Sequence, residues 1–137
     1  CILSGKIDFR NYVHISPFCM IAGGDKGIIF DNYSGLAYKC NVMSKTDDYS
    51  GNSLTNPLLP ANLKNEINKG VYIGKHVIVG TSSTILPGCV LNEGSAVGAH
   101  SLVTKSVDPF TIVFGTPARK LKNRKRNLSI LEEKLNK

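Results

Sequence analysis

Two adjacent carboxylates, Asp47 and Asp48, begin a strongly polar stretch of the chain. Residues 47–57 are Asp-Asp-Tyr-Ser-Gly-Asn-Ser-Leu-Thr-Asn-Pro, a run of carboxylate, hydroxyl and amide groups. This inventory suits hydrogen bonding to a sugar. A carboxylate beside another carboxylate also tends towards a raised pKa, which favours a general base at Asp47 or Asp48.

The basic end of the chain is a second group of residues with chemical potential. The formal net charge is +7, and residues 119–137 hold eight Lys or Arg against Glu132 and Glu133, which leaves +1 for the rest. Such a segment favours an anionic partner: a nucleic acid, an anionic membrane or a phosphorylated ligand. Nucleic acid is disfavoured, because the aromatic residues do not interleave with the basic ones as in a stacking platform.

A six-residue period organises the elements that must position these groups. Branched aliphatic residues recur at every sixth position, and a small or β-branched residue follows each of them four positions later. The aliphatic positions are Ile73, Val79, Ile85, Leu91, Val97 and Val103, and the fifth positions are Val77, Ser83, Cys89, Ser95, Ser101 and Val107. Neither a heptad helix nor an alternating strand produces this spacing. It predicts a β-solenoid of hexapeptide units, three to each coil of about 18 residues.

The same period runs through the first half of the chain with two interruptions. The matching positions there are Leu3, Phe9, Ile15, Ile21, Phe30, Leu36 and Val42. The phase slips at residues 23–27, where Gly-Gly-Asp-Lys-Gly indicates a turn or short loop, and the period is lost between residues 44 and 70. Because long insertions in compact domains are usually functional or disordered, we expect this loop to be functional.

The sequence therefore predicts a single domain, 1–137, of the all-β class. A parallel β-helix occupies about residues 3–44 and 71–108, an inserted loop about 45–70, and a C-terminal cap and helix 109–137. A capping box of Ser129 and Glu132 is expected to start the helix. Its apolar face, made of Leu128, Leu131 and Leu135, is expected to pack over the end of the solenoid or on a neighbouring subunit.

The cysteines are predicted to be packing groups rather than chemistry. Cys19, Cys40 and Cys89 occupy fifth positions, where a tightly wound solenoid needs a small side chain, and no CxxC or metal-ligand spacing is present. We expect no disulfide and no metal. With no apolar run of membrane-spanning length and no secretory signal, a soluble cytoplasmic protein is the default expectation. The first residue is Cys1 and the period already runs at Leu3, so the chain is expected to be trimmed or to lack a first coil.

The chain resembles the hexapeptide-repeat acyltransferases. The resemblance rests on the hexads of residues 73–108, on Gly98-Ala99-His100-Ser101-Leu102-Val103-Thr104-Lys105, and on Gly115-Thr116-Pro117-Ala118-Arg119. The closing pattern is similar to that of galactoside, maltose and xenobiotic acetyltransferases. The resemblance implies a left-handed parallel β-helix, acetyl-CoA as donor, and a homotrimer with active sites between subunits.

The resemblance also implies which residues hold the donor. Residues at matching places bind the nucleotide end of coenzyme A, whose phosphates require cations. Small side chains would let the pantetheine arm lie along the coil, with main-chain groups satisfying its amides. The predicted set is Ser82, Gly98, Ala99, Thr104, Lys105, Arg119 and Lys122.

The identity of the catalytic base departs from the family pattern. Acetyltransferases of this kind usually place a histidine on the long loop, whereas residues 44–51 contain none. Asp47 or Asp48 stands at the expected position and would act as base or orient a sugar hydroxyl. Alternatively the base is His14, His76 or His100; His14 is preferred because a neighbour's loop would meet it early in the solenoid.

The predicted function is acetyl transfer from acetyl-CoA to a hydroxyl or amino group of a sugar, in surface-polysaccharide or nucleotide-sugar biosynthesis. The second hypothesis is a non-catalytic solenoid that serves as a binding or assembly module and has lost its base. A zinc enzyme related to γ-carbonic anhydrases is disfavoured, because the three histidines lack the local motif of that family.

Overall fold

In a computed structural model covering residues 1–137, the six-residue period forms a three-sided solenoid of short strands. The strands are β1 (Ile2–Ser4), β2 (Ile7–Phe9), β3 (His14–Ile15), β4 (Met20–Ala22), β5 (Ile28–Phe30), β6 (Gly35–Leu36), β7 (Asn41–Met43), β8 (Lys45–Thr46), β9 (Ile67–Asn68), β10 (Val71–Ile73), β11 (Ile78–Val79), β12 (Thr84–Ile85), β13 (Val90–Leu91), β14 (Ala96–Val97), β15 (Leu102–Val103), β16 (Thr111–Gly115) and β17 (Ala118–Asn123). A 3₁₀-helix spans Ala61–Leu63, and the α-helix α1 spans Leu128–Leu135.

Three parallel sheets form the sides of the solenoid. The first sheet contains β1, β4, β7, β12 and β15, the second contains β2, β5, β10 and β13, and the third contains β3, β6, β11, β14, β16 and β17. Only two pairs are antiparallel, β16 with β17 and β8 with β9. The prediction of a β fold built from parallel sheets with a C-terminal helix is confirmed.

The strand register gives the length of each coil. Tyr72 pairs with Val90, 18 residues later, as three hexads require. Ile7 pairs with Ile28, 21 residues later, because residues 23–27 add a turn. Ile28 then pairs with Val71, 43 residues later, because the long loop interrupts that coil. Both interruptions lie where the sequence period fails.

Each coil has three corners, which we name by what they carry. The loop corner joins the first sheet to the second and carries the insertion between β7 and β10. The helix corner joins the second sheet to the third, and α1 packs against it. The turn corner joins the third sheet to the first, and the turn between β16 and β17 lies there.

The core is a set of aligned columns of aliphatic side chains. Phe30, Ile73 and Leu91 lie above one another on the second sheet and are fully buried. Each such side chain contributes about 1.5–3 kcal/mol relative to an exposed position. Because only neighbouring coils contact each other, stability accumulates coil by coil.

The fifth positions connect successive coils at the turn corner. The thiols of Cys19 and Cys40 donate to the carbonyl oxygens of Ala37 and Gly80, each at 3.1 Å, and the Ser83 hydroxyl donates to the next coil in the same way. All three cysteines at fifth positions are buried, and burial raises the pKa of the Cys40 and Cys89 thiols. Their predicted packing role is confirmed.

The C-terminal region differs from the prediction in two respects. A β-hairpin, β16 and β17, precedes the helix and extends the third sheet, where the sequence predicts a cap without naming its strands. The helix begins at Leu128 after Asn127, without a side-chain cap, so the Ser129–Glu132 capping box is wrong. Leu131 and Leu135 are more than half exposed, so only Leu128 of the predicted apolar face packs on this chain, where it lines a cavity with Ile112.

Polar contacts, rather than leucines, hold α1 at the helix corner. Glu132 accepts hydrogen bonds from Lys75 at 2.8 Å and His76 at 2.9 Å. Arg124 donates to the carbonyl oxygen of His76 at 3.0 Å, just before the helix. None of the helices has the length and apolarity that a membrane crossing requires.

Candidate active site

The long insertion is an ordered excursion at the loop corner. Its two ends pair as the hairpin β8–β9, in which Lys45 faces Asn68 and Thr46 faces Ile67. Polar residues of this hairpin and of the segments beside it line a common surface, which we call the polar face; they are Lys45, Asp47, Lys64, Glu66 and Asn68.

Two neighbouring cavities open on the polar face. One, of about 460 Å³, is lined by Lys45, Lys64, Glu66 and Asn68 together with residues of the 57–65 segment. The other, of about 220 Å³, is lined by Asp47 as well as by both lysines and Glu66. Glu66 bonds both lysines at once, at 2.9 Å to Lys64 and also to Lys45.

Asp48 lies in different surroundings from Asp47. One of its oxygens accepts a hydrogen bond from the Ser53 hydroxyl at 2.7 Å, and the other from the backbone N–H of Ser50 at 2.9 Å. These hydrogen bonds, led by that of Ser53, hold the pKa of Asp48 below its ordinary value. The expectation of a raised pKa is therefore wrong for Asp48, because hydroxyl and amide donors stabilise its charged form.

The basic residues predicted to bind the donor separate into two places. Lys105 and Arg119 line one cavity of about 220 Å³ at the last coil, together with Asp108 and Lys120. Lys122 instead lines a cavity of about 570 Å³ beside Arg124. The structure brings Lys105 and Arg119 together, and Thr104 lies exposed next to Lys105, but Lys122 faces another surface.

The small residues of the predicted donor site lie at the turn corner. Ser82 occupies the left-handed region with φ 59°, and its N–H donates to the carbonyl oxygen of Tyr38 at 2.9 Å. Gly98 lies against Phe114, and a Cβ there would approach the phenyl ring to 2.4 Å. Ala99 follows Gly98 in the same bend. These three residues are adjacent to each other but lie at a different corner from Lys105.

The histidines do not converge within the chain. His14 is exposed on the third sheet, and its Nε2 lies 3.3 Å from the Ser16 hydroxyl. His76 lies at the helix corner, stacks on Tyr33 with ring centroids 4.9 Å apart, and is bonded to Glu132. His100 lies at the turn corner with φ 56°. His76 therefore anchors α1, and the structure does not place any histidine beside Asp47 or Asp48.

The insertion with its predicted carboxylates and Lys105 lie at the same corner of the solenoid. The insertion leaves that corner after β7, and Lys105 follows β15, two coils further along the same sheet. Adjacent parallel strands lie about 4.8 Å apart, so the two sites are separated by about 10 Å along the axis. Lys69 lies between them, with its side chain near Gly88 of the intervening coil.

Lys64 and Glu66 were not predicted as site residues. They stand at alternating positions in Lys64-Asn65-Glu66-Ile67-Asn68, and this alternation was the available sign that they share a face. No group of three or more histidine, cysteine, aspartate or glutamate side chains is arranged to hold a metal ion.

A parallel solenoid of hexads with a polar hairpin and a basic closing turn defines the class of protein. The chain belongs to the hexapeptide-repeat acyltransferases. It is 38% identical over 135 residues to the dTDP-4-amino-4,6-dideoxy-D-glucose acyltransferase of Escherichia coli, covering 96% of this chain and 70% of that protein. No protein-family model matches the chain.

Two further relatives belong to the same class. AntD, an N-acyltransferase from Bacillus cereus, was solved as a serine-to-alanine variant with dTDP-4-amino-4,6-dideoxyglucose and coenzyme A; it superimposes with a TM-score of 0.97 at 41% identity, over 99% of this chain and 73% of AntD. The galactoside O-acetyltransferase of Lactococcus lactis is 32% identical over 114 residues, 74% of this chain and 55% of that protein. The predictions of family, of an enzyme, and of acyl transfer to a sugar with a coenzyme A thioester are confirmed.

Proposed function

We propose that the chain transfers an acyl group from an acyl-CoA to the amino group of a nucleotide-linked amino sugar. The observation that carries this proposal is the near-complete superposition on AntD in complex with coenzyme A and dTDP-4-amino-4,6-dideoxyglucose. The hydroxyl acceptor of the sequence-based hypothesis becomes the second candidate, favoured by the likeness to galactoside O-acetyltransferase.

The reaction forms one carbon–nitrogen bond and breaks one carbon–sulfur bond. The acceptor amine attacks the thioester carbon, coenzyme A leaves as the thiol, and the proton lost by the amine balances the one that the sulfur gains. A positioned base contributes about 10²–10⁴-fold to such a step. Asp47 takes this role, because it lines the cavity on the polar face. Asp48 holds the turn that follows, because both of its oxygens accept bonds from that turn.

The donor is held at the last coil and the turn corner. Lys105 and Arg119 bind phosphate groups of the acyl-CoA, since they line one cavity together with Lys120, three cations against the single carboxylate of Asp108. The pantetheine arm of the acyl-CoA lies along the bend formed by Ser82, Gly98 and Ala99. Thr104 binds the nucleotide end beside Lys105, and Lys122 contacts that end from the neighbouring surface. The sequence predicts acetyl-CoA as the donor. The alternative donor is an acyl-CoA with a longer acyl group, because AntD was solved with 3-hydroxybutyryl-CoA.

The assembly is a homotrimer of left-handed, single-domain β-helices located in the cytoplasm. A neighbouring copy would bring the turn corner of one chain beside the loop corner of another, which unites the two halves of the donor site. Tyr49 and Leu58 of the insertion are almost 90% exposed and offer an apolar contact to that copy. His14 of a neighbour, exposed on the third sheet, is the second candidate base.

Steady-state assays of thiol release test the proposal. The chain is expected to acylate dTDP-4-amino-4,6-dideoxyglucose with acetyl-CoA or 3-hydroxybutyryl-CoA, and not the 4-hydroxy analogue. Asp47→Asn is expected to lower kcat by about 10²-fold or more with little change in KM, as for the loss of a base. Asp48→Asn should mainly raise KM for the sugar.

Three results would contradict this assignment. Full activity of Asp47→Asn would exclude it as the base, and loss of activity in His14→Ala alone would transfer that role to His14. If a well-folded trimer acylates dTDP-4-amino-4,6-dideoxyglucose with neither acetyl-CoA nor 3-hydroxybutyryl-CoA, the amino-sugar acceptor is refuted.

A further inference from the structure

We infer that the polar face of the insertion binds the diphosphate of the nucleotide sugar through Lys45 and Lys64, and so determines that the acceptor must be nucleotide-linked. This inference rests on the proposed function and extends it to a second part of the acceptor. The lysines belong to a hairpin that lies apart from the donor cations Lys105 and Arg119.

Burial makes Lys64 an unusual cation. Its side chain is only 11% exposed. Moving a charged ammonium out of water costs free energy unless the charge is paired. Its partner Glu66 is shared with Lys45, so two cations face one carboxylate. The lining of the 460 Å³ cavity therefore carries one positive charge more than it has carboxylates, and the balancing carboxylate of Asp47 lies in the neighbouring cavity. A cavity of this size suits a small ligand.

The arrangement of charges along the face matches the two ends of the acceptor. In a nucleotide-linked 4-amino sugar, the anionic diphosphate and the amine lie on opposite sides of one sugar ring. Lys45 and Asp47 are two residues apart on the same side of an extended chain, a separation of about 6.6 Å between their Cα atoms. Both side chains line the second cavity, of about 220 Å³. The amine thus meets Asp47 when the diphosphate meets Lys45 and Lys64.

Glu66 competes with the diphosphate for the same two lysines. In the free protein it accepts from both, and a diphosphate offers more charge and more oxygen acceptors than one carboxylate. Binding therefore exchanges the Glu66 bonds for phosphate bonds, and removal of Glu66 should favour the ligand.

Isothermal titration with dTDP, thymidine and coenzyme A tests the inference on the whole chain. Lys64→Met and Lys45→Met are each expected to weaken dTDP binding about tenfold, the loss of one charge-assisted hydrogen bond, and to leave coenzyme A within about twofold. Glu66→Gln is expected to tighten dTDP binding severalfold. Lys105→Met should weaken coenzyme A and spare dTDP, and Lys134→Met, on α1, should change neither.

The opposite signs separate a binding site from a structural ion pair. If Lys64 and Glu66 only stabilise the hairpin, both Lys64→Met and Glu66→Gln will weaken dTDP binding, and this result overturns the inference. Because Lys45 is exposed, Lys45→Met tests the charge without disturbing the buried Lys64. Thymidine binding as tight as dTDP binding would also overturn it, as would lysine variants that weaken coenzyme A alone, because the diphosphate recognised would then be that of the donor.

The inference and the proposed function fail in different ways. If the amino sugar is acylated but Lys64→Met and Lys45→Met retain dTDP affinity, the inference is wrong and the proposed function stands. If dTDP binds in a lysine-dependent manner but no acyl transfer to the amino sugar occurs, the diphosphate site stands and the proposed function is wrong.

Discussion

Asp47 and Asp48 are neighbours in the sequence but face different surroundings. Asp47 lines a cavity beside two lysines, whereas Asp48 accepts hydrogen bonds within its own turn. Successive residues of an extended chain project to opposite sides, which accounts for one carboxylate that lines the cavity and one that bonds its own loop. Sequence alone placed both residues at the site, but it did not assign their separate contacts.

Removal of the Ser53 hydroxyl should weaken the loop at neutral pH and reduce the part of its stability that acid removes. The Ser53 hydrogen bond is the largest cause of the lowered pKa of Asp48, so Ser53→Ala should raise that pKa towards its ordinary value, near 4. A lowered carboxylate pKa contributes stability that is present at neutral pH and is lost as the pH falls through the folded-state value. NMR titration of the Asp48 carboxyl carbon measures the shift.

Thr55→Ala provides the control for this titration. Thr55 lies in the same exposed loop and makes no side-chain hydrogen bond, so its variant should leave the Asp48 titration unchanged. An unchanged titration in Ser53→Ala would show that the hydroxyl does not hold the carboxylate.

The helix α1 is attached by charge at the scale of an element. Leu131 and Leu135 remain exposed, and Glu132 bonds Lys75 and His76. The leucine spacing predicted the helix correctly, but within this chain Glu132, rather than the face of Leu131 and Leu135, contacts the solenoid; packing of that face on a neighbouring subunit stays a prediction. Local spacing shows which residues share one face of the helix. Which face contacts the solenoid depends on Lys75 and His76, more than 50 positions away in the sequence.

Acid or neutralisation of Glu132 should release α1 while the solenoid stays folded. Lys75, and then His76, hold the pKa of Glu132 below its ordinary value, so the attachment is present at neutral pH and is lost as the pH falls through that lowered pKa. Glu132→Gln should therefore remove amide protection from residues 131–136 at neutral pH, as measured by hydrogen exchange. Glu133→Gln, its exposed neighbour, should leave protection intact; equal loss in both variants would contradict the ion-pair account.

The β-hairpin of β16 and β17 illustrates what the period could not predict. The hexads end at Val107, and the following strands pair with each other in an antiparallel register that no six-residue spacing describes. The solenoid itself was predictable, because every coil repeats the same burial. The failure of the period located the inserted loop. The pairing of β8 with β9 and the ion pairs of Glu66 within that loop follow no repeat, so the sequence did not predict them.

At the scale of the whole molecule, the coils are so close that some positions admit no side chain. A Cβ on Gly80 would lie 2.7 Å from the backbone nitrogen of Ala99 in the next coil. Gly80→Ala is therefore expected to destabilise the chain by about 2–3 kcal/mol, as for overpacking against a backbone that cannot rotate away. Chemical denaturation measures the change.

Gly70→Ala is the matched control. A Cβ there would lie 3.3 Å from two carbonyl oxygens, a separation that small backbone shifts relieve. We expect it to cost less than about 1 kcal/mol. Equal losses at the two glycines would show that coil spacing does not limit side-chain size.

The 43-residue register across the insertion has a consequence for how such enzymes diversify. Strands β5 and β10 pair as regularly as strands 18 residues apart, although 25 more residues intervene. The solenoid therefore imposes conditions only on the two ends of the excursion and none on its length or content. Under the proposed function, acceptor recognition belongs to a segment that can be exchanged: a different hairpin between Ser44 and Gly70 that keeps the contact of Tyr49 and Leu58 with a neighbouring copy is expected to alter which sugar is chosen.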